Sequence, residues 1–340
     1  MNPEPAVDLQ RLGTVRRLTR LASEDGFFLI AAIDHPENYL ELFDKDISRV
    51  PHETVVASKL ELVAELSRHA SALLVDPMWS LGQAIATRAL PGSVGLVAPI
   101  EQLGYTPGGW RLETKLRPDW TLEKIAKIGA DGVKLFVFYR TELDEIAAGQ
   151  RKLVADLVAS CRELQLPLIV EPIWYPLEGE DLAEPAMRGR RADAIVAAAA
   201  EFANLGADIL KVQFPGSIES AADRASATAA ARELDAAIDV PWVLLSEGAG
   251  YEDFAVQIEI TAQAGASGYI AGRAIWGDAV GHLPEAQRRK SVAQAGERLA
   301  TLNGIVRAHG RPWAEWVSVG TAAAAMPADW YESYGGQVTP

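Results

Sequence analysis

The sequence predicts a closed (β/α)8 barrel, and three features predict it. Eight short apolar runs alternate with longer segments of helical period along most of the chain. The runs are apolar almost without a break, as strands of a parallel sheet buried on both faces must be. No GxGxxG comes after the first run, which removes the main sign of the rival architecture, a doubly wound open sheet.

In order, the runs are "FFLIAAID" (27–34), "ALLVDP" (72–77), "GLVAPI" (95–100), "GVKLFVFY" (132–139), "PLIVEPIWY" (167–175), "ADILKVQFP" (207–215), "PWVLLSEG" (241–248) and "SGYIAGRAI" (267–275). Between them lie amphipathic stretches such as "ETVVASKLELVAELSRHA", "TLEKIAKIGA", "ADAIVAAAAEFANLG" and "FAVQIEITAQAGA". "KIGADGVK", "NLGADILK" and "QAGASGYI" each place a helix-stopping glycine just before a strand, as tight helix-to-strand turns require. Residues 1–26 form an N-terminal extension, 27–301 the barrel and 302–340 a tail. Trp313, Trp316, Trp330, Tyr331 and Tyr334 in that tail are suited to cover either a barrel end or a face between subunits of a homo-oligomer.

At roughly 150 residues per domain a chain of 340 suggests two domains, but α/β barrels of ~250 residues form one. With 49% hydrophobic and 23% charged residues the chain can build a large core. A formal net charge of −14 argues against nucleic acid and against an anionic membrane as partners. A small anion remains open, because backbone N–H groups and one or two arginines suffice to hold it. The single cysteine, Cys161, excludes an intrachain disulfide and reads as a small core residue. The N-terminus lacks an apolar signal core, and no run of ~20 apolar residues occurs, so the expected compartment is the cytoplasm.

Chemistry in this architecture sits at the C-terminal strand ends. The polar residues there are Asp34, Asp76, Lys134, Glu171, Lys211, Gln213, Ser246 and Arg273. Asp76, ahead of Pro77, reads first as a cap for the helix after the second strand. Lys211 is the odd one, an ammonium between isoleucine, leucine, valine and phenylalanine, where burial without a partner costs several kcal/mol or forces loss of the proton. Lys134 on the fourth strand shares its interior layer with the sixth, so two like charges are expected to meet and favour the neutral amine. A neutral amine attacks carbonyls, which makes Lys211 a candidate Schiff-base lysine. Glu171 on the intervening strand is placed to move protons, and Asp34 to act as a second acid/base or to orient a hydroxyl.

"LLSEGAG" and "AGRAIW" put small residues at the ends of the last two strands, where barrels of this kind often hold phosphate. Ser246, Gly248, Gly272 and Arg273 would suit one phosphate dianion. The histidines at 35, 52, 69, 282 and 309 are scattered, so no metal site is expected, and no cofactor is called for. A serine-hydrolase elbow, GxSxG, is missing.

"GADILKVQFP", "LIVEPIWYP", "DGVKLFVFYR" and "PWVLLSEGAGYEDF" with "AGASGYIAGRAIW" resemble the class I aldolases that include tagatose 1,6-bisphosphate and sulfofructose-1-phosphate aldolases, over about residues 27–280. The resemblance implies a (β/α)8 barrel that cleaves a phosphorylated ketose to dihydroxyacetone phosphate and an aldehyde. It implies Lys211 as the Schiff-base lysine, Lys134 as the second lysine, Glu171 as the acid/base, Asp34 as the first-strand aspartate, and Ser246–Gly248 with Gly272–Arg273 as phosphate loops. The chain departs from the family at His35 and Pro36, where glutamine typically comes after the aspartate, and at Glu247, where a small residue is usual. His35 and Arg140 are candidates for the aldehyde side, and Arg188, Arg190 and Arg191 for a basic loop holding a second anion. Two other readings share the barrel: a sugar-phosphate isomerase or epimerase, and a sugar-phosphate-binding barrel without turnover.

Overall fold

The computed structural model describes residues 9–34, 37–102, 112–316 and 326–335. Its eight barrel strands are β1 (Phe28–Ile33), β2 (Ala72–Val75), β3 (Gly95–Pro99), β4 (Gly132–Phe138), β5 (Leu168–Ile173), β6 (Ile209–Val212), β7 (Trp242–Leu245) and β8 (Gly268–Ala271). Each lies inside one of the eight apolar runs. The sheet is parallel and closed in the order β1-β8-β7-β6-β5-β4-β3-β2, with Phe28 opposite Gly268 at the seam.

Alternation along each strand divides the core in two. Phe28, Ile30 and Ala32 point inward to meet Ile169, Ile209, Val243 and Ile270. Leu29, Ala31 and Ile33 point outward beneath the helices. Both faces are apolar because both are buried, each large aliphatic side chain contributing about 1.5–3 kcal/mol. The helix-stopping glycines take left-handed backbone, with φ of +87° at Gly129, +100° at Gly206 and +121° at Gly265. A Cβ at Gly265 would also lie 2.3 Å from Asp235 Oδ1, so space as well as torsion demands glycine there.

The helix Leu12–Leu21 caps the N-terminal mouth, sending Leu18 and Leu21 into the interior cluster. Trp313 joins them and stacks on Phe28 at 6.4 Å. The Tyr334 hydroxyl accepts a hydrogen bond from Gly13 N at 3.1 Å, tying the tail to the same helix. The last long helix, Glu285–His309, runs across position 302, where the tail is expected to start. Cys161 is buried, and burial pushes its thiol up to about 12. Among the described residues no helix is long and apolar enough to cross a membrane.

One element has no counterpart in the sequence reading. Glu101–Gln102 pairs antiparallel with Lys115–Leu116 just beyond β3. Two-residue strands carry no periodicity to read, yet this ribbon sets a carboxylate at the barrel mouth.

Candidate active site

With one mouth closed, the C-terminal end opens into a cavity of about 370 Å³. Asp34, Lys134, Glu171, Lys211, Ser246, Gly248, Gly272 and Arg273 all line it, eight candidates from six strands and the turns after them. The parity of each strand accounts for this. Leu210 and Val212 face the helices, so Lys211 between them faces the barrel axis.

Lys211 is 6% exposed and its Nζ lies 2.7 Å from Glu171 Oε1. The β5–β6 register, with Val170 opposite Leu210, brings the next pair, Glu171 and Lys211, side by side. Burying the ammonium would cost several kcal/mol alone, and the carboxylate offsets that cost. The other oxygen of Glu171 lies 2.9 Å from Lys134 Nζ. Lys134 also donates to Glu101 Oε1 at 2.6 Å and to Asp34 Oδ2 at 3.3 Å.

The expectation that Lys134 is pushed towards the neutral amine is overturned. Burial does pull its proton affinity down, but Glu101, Glu171 and Asp34 together outweigh burial and hold it well above the usual lysine range. Like charge is not what the two lysines experience, because Glu171 stands between them. Glu101 was outside the sequence reading, which ended the third run at Ile100. Its signal was slight, an acidic residue immediately after a strand end. Among the described residues no group of three His, Cys, Asp or Glu side chains is set to hold a metal ion.

A second buried pair braces this end of the barrel. Lys59 Nζ lies 2.6 Å from Asp76 Oδ2 and donates to Ile33 O at 2.9 Å, joining the end of β2 to the residue before Asp34. Asp76 Oδ1 accepts from Met78 N and Trp79 N at 2.9 and 2.8 Å, so it closes the turn after β2 and does not cap the next helix, whose N-cap is Ser80. Lys59 was missed because it sits in a helix of ordinary amphipathic pattern.

At the ends of β7 and β8 the backbone turns tightly, with Gly248 at φ +80°. A Cβ there would lie 3.6 Å from Arg273 Nη2, so the guanidinium and this turn share one corner. Arg273 is exposed and has no carboxylate partner among the described residues. Glu247, the unexpected acid, adopts φ +47° and is held by Arg191 at 2.6 Å and by Gln213. Gln213 in turn clamps Trp174, accepting from its N at 2.7 Å and donating to its O at 3.2 Å.

The other proposed anion-binding residues are not brought to the cavity. Arg140 is buried, stacks 4.5 Å from Trp174, and divides its guanidinium between Glu142, Glu180 and the Tyr175 carbonyl. Its hydrogen bonds hold Glu180 down at about 2. Arg188 faces Glu219 at 3.4 Å, Arg190 lies within 3.9 Å of Glu142 and Glu180, and Arg191 serves Glu247. All three belong to the helix Pro185–Asn204. His35 lies outside the described residues.

Chemically, the cavity offers a buried amine beside a carboxylate, a permanent cation behind both, and at one end a guanidinium that no described carboxylate engages. The DeoC/LacD family aldolase description matches residues 28–278. The chain is 27% identical over 329 residues to tagatose 1,6-diphosphate aldolase 2 of Enterococcus faecalis, covering 90% of this chain and 97% of that protein. It is likewise 27% identical over 324 residues to tagatose 1,6-diphosphate aldolase of Streptococcus pneumoniae, covering 88% and 97%. Among solved structures, a fructose-bisphosphate aldolase from Slackia heliotrinireducens superposes with TM-score 0.63 at 15% identity over 90% of each chain. An archaeal fructose 1,6-bisphosphate aldolase superposes with TM-score 0.57 at 18% identity, covering 88% of this chain and all of that one. These likenesses bear out the barrel, and the family match extends over every barrel strand and every described residue lining the cavity: the chain belongs to the DeoC/LacD family of aldolases, and it is a carbon–carbon lyase.

Proposed function

We propose that this lyase is a class I aldolase that cleaves a phosphorylated ketose to dihydroxyacetone phosphate and an aldehyde. The observation that carries this reading is the 2.7 Å contact of Lys211 Nζ with Glu171 Oε1 on the cavity floor. Glu171 takes the proton that Lys211 must lose, and the free amine attacks the ketose C2 carbonyl. The carbinolamine hydroxyl then leaves as water, with Glu171 returning the proton, and a protonated imine forms. That imine accepts the electron pair when the C3–C4 bond breaks, while the C4 hydroxyl gives its proton to the Glu171 carboxylate, which later returns it to C3, and becomes the aldehyde. The resulting enamine is protonated at C3, and water releases the ketone from Lys211.

Lys134 supports this by setting a positive charge against Asp34, Glu101 and Glu171, which offsets the cost of gathering three carboxylates in a dry site. Ser246, Gly248, Gly272 and Arg273 bind the C1 phosphate, the guanidinium supplying a charge-assisted contact. The relatives named for tagatose 1,6-diphosphate support a sugar phosphate as substrate. A panel of ketose 1-phosphates and 1,6-bisphosphates, assayed for triose-phosphate release, tests the reading. Release from at least one is expected, and interconversion of ketoses without cleavage would point instead to an isomerase.

A further inference from the structure

Glu247 is an acid standing at the edge of a site proposed to bind phosphate. We infer that it is a positioning residue for that phosphate, holding the turn after β7 in a shape its own backbone resists. The inference rests on the class I reading above, which sets the phosphate at Ser246, Gly248, Gly272 and Arg273.

The turn closes where Ala249 N donates to Ser246 O at 2.8 Å. Its two central residues both have left-handed backbone, with φ +47° at Glu247 and +80° at Gly248, the φ pattern of a type I′ turn. Glycine, asparagine and aspartate suit that pattern, and glutamate does not. A residue so placed persists where its surroundings over-determine it. Here both carboxylate oxygens are tied. Oε2 accepts from Arg191 Nη2 at 2.6 Å, and Oε1 accepts from Gln213 Nε2.

Each tether is itself anchored at a strand end. Arg191 Nη1 donates to Phe214 O at 3.0 Å, just beyond β6. Buried Gln213 makes two further hydrogen bonds, to the N and O of Trp174 just beyond β5. The turn that brings Gly248 to Arg273 is thus fixed from the two strands that carry Glu171 and Lys211. In this way one side chain sets the phosphate corner at a fixed distance from the amine.

By charge alone, an acid beside an anion site weakens binding, so its removal would strengthen the phosphate contact. Loss of the tether acts with the opposite sign. Borohydride inactivation separates the two. Second-order rate constants are measured with dihydroxyacetone phosphate and with dihydroxyacetone, which offers the same carbonyl without the phosphate. The ratio of the two is taken within each protein, so partial loss of fold does not imitate a shift. Glu247→Ala should lower the ratio at least about tenfold, as for loss of one charge-assisted contact, with the dihydroxyacetone rate within about threefold of native. Glu247→Gln keeps an acceptor for one tether and drops the charge, and should hold the ratio within about threefold of native. A smaller fall or a rise of the ratio in Glu247→Ala, an equal loss with both ketones, or a loss in Glu247→Gln beyond that margin would overturn the inference. The class I reading fails separately, by the absence of a borohydride-stable adduct on Lys211 of the native protein with either ketone.

Discussion

Glu171 presents one carboxylate oxygen to Lys211 at 2.7 Å and the other to Lys134 at 2.9 Å. One acid thus joins a lysine proposed to react to a lysine whose proton three carboxylates hold more tightly than usual. The amine proposed to react has a carboxylate within hydrogen-bonding distance, and the second lysine lies on the far side of that carboxylate. Lys134 is therefore a partner of Glu171 more than of Lys211.

Replacing Lys134 by Met removes the cation while roughly preserving volume. Three carboxylates then share a dry site without their common cation, which favours protonation of the cluster. The expected outcome is a fall in kcat and a pH–rate profile whose acid limb moves to higher pH. An acid limb that stays in place, measured from about pH 5 to about pH 9, would mean that Lys134 does not govern the working carboxylate.

Arg273→Ala removes the one guanidinium in the cavity that no described carboxylate engages. Loss of a charge-assisted contact costs about 1.5–3 kcal/mol, or roughly 10- to 150-fold in KM, with kcat less affected. Unchanged steady-state constants with a ketose 1-phosphate would place the anion elsewhere.

Arg140 and Glu180 make a stability prediction. The Glu180 carboxyl, held at about 2 by its hydrogen bonds to Arg140, ordinarily titrates at 4.5. Its contribution is complete above 4.5 and is lost as pH falls through about 2. Glu180→Gln should melt below the native chain at about pH 7, and the gap should close between about pH 5 and about pH 2. Thermal melts at a series of pH values decide it, and a constant gap would contradict the pairing.

Much of this was legible in residue order. Near-continuous apolar runs gave away the strands, and the Lys211 anomaly, an ammonium among aliphatic neighbours, located the cavity because the parity of a buried strand leaves only the axis to face. What stayed hidden was which charges meet. Lys134 looked like a second repelling cation because Glu101 sits in a two-residue strand with no pattern to read. Arg140 and Arg191 looked available because their partners, Glu180 and Glu247, are 40 and 56 residues away in sequence. Lys59 was hidden inside a regular helix, although its ammonium braces the ends of β1 and β2.

The covalent role proposed for Lys211 is tested most directly by trapping. Incubation with dihydroxyacetone phosphate and borohydride should reduce the imine to a stable secondary amine and inactivate the enzyme. Mass spectrometry of a digest should place that adduct on the peptide containing Lys211, and Lys211→Met should lose both adduct and cleavage while keeping the native melting transition. An adduct on Lys134 instead, or no adduct while the enzyme is turning over, would contradict the account.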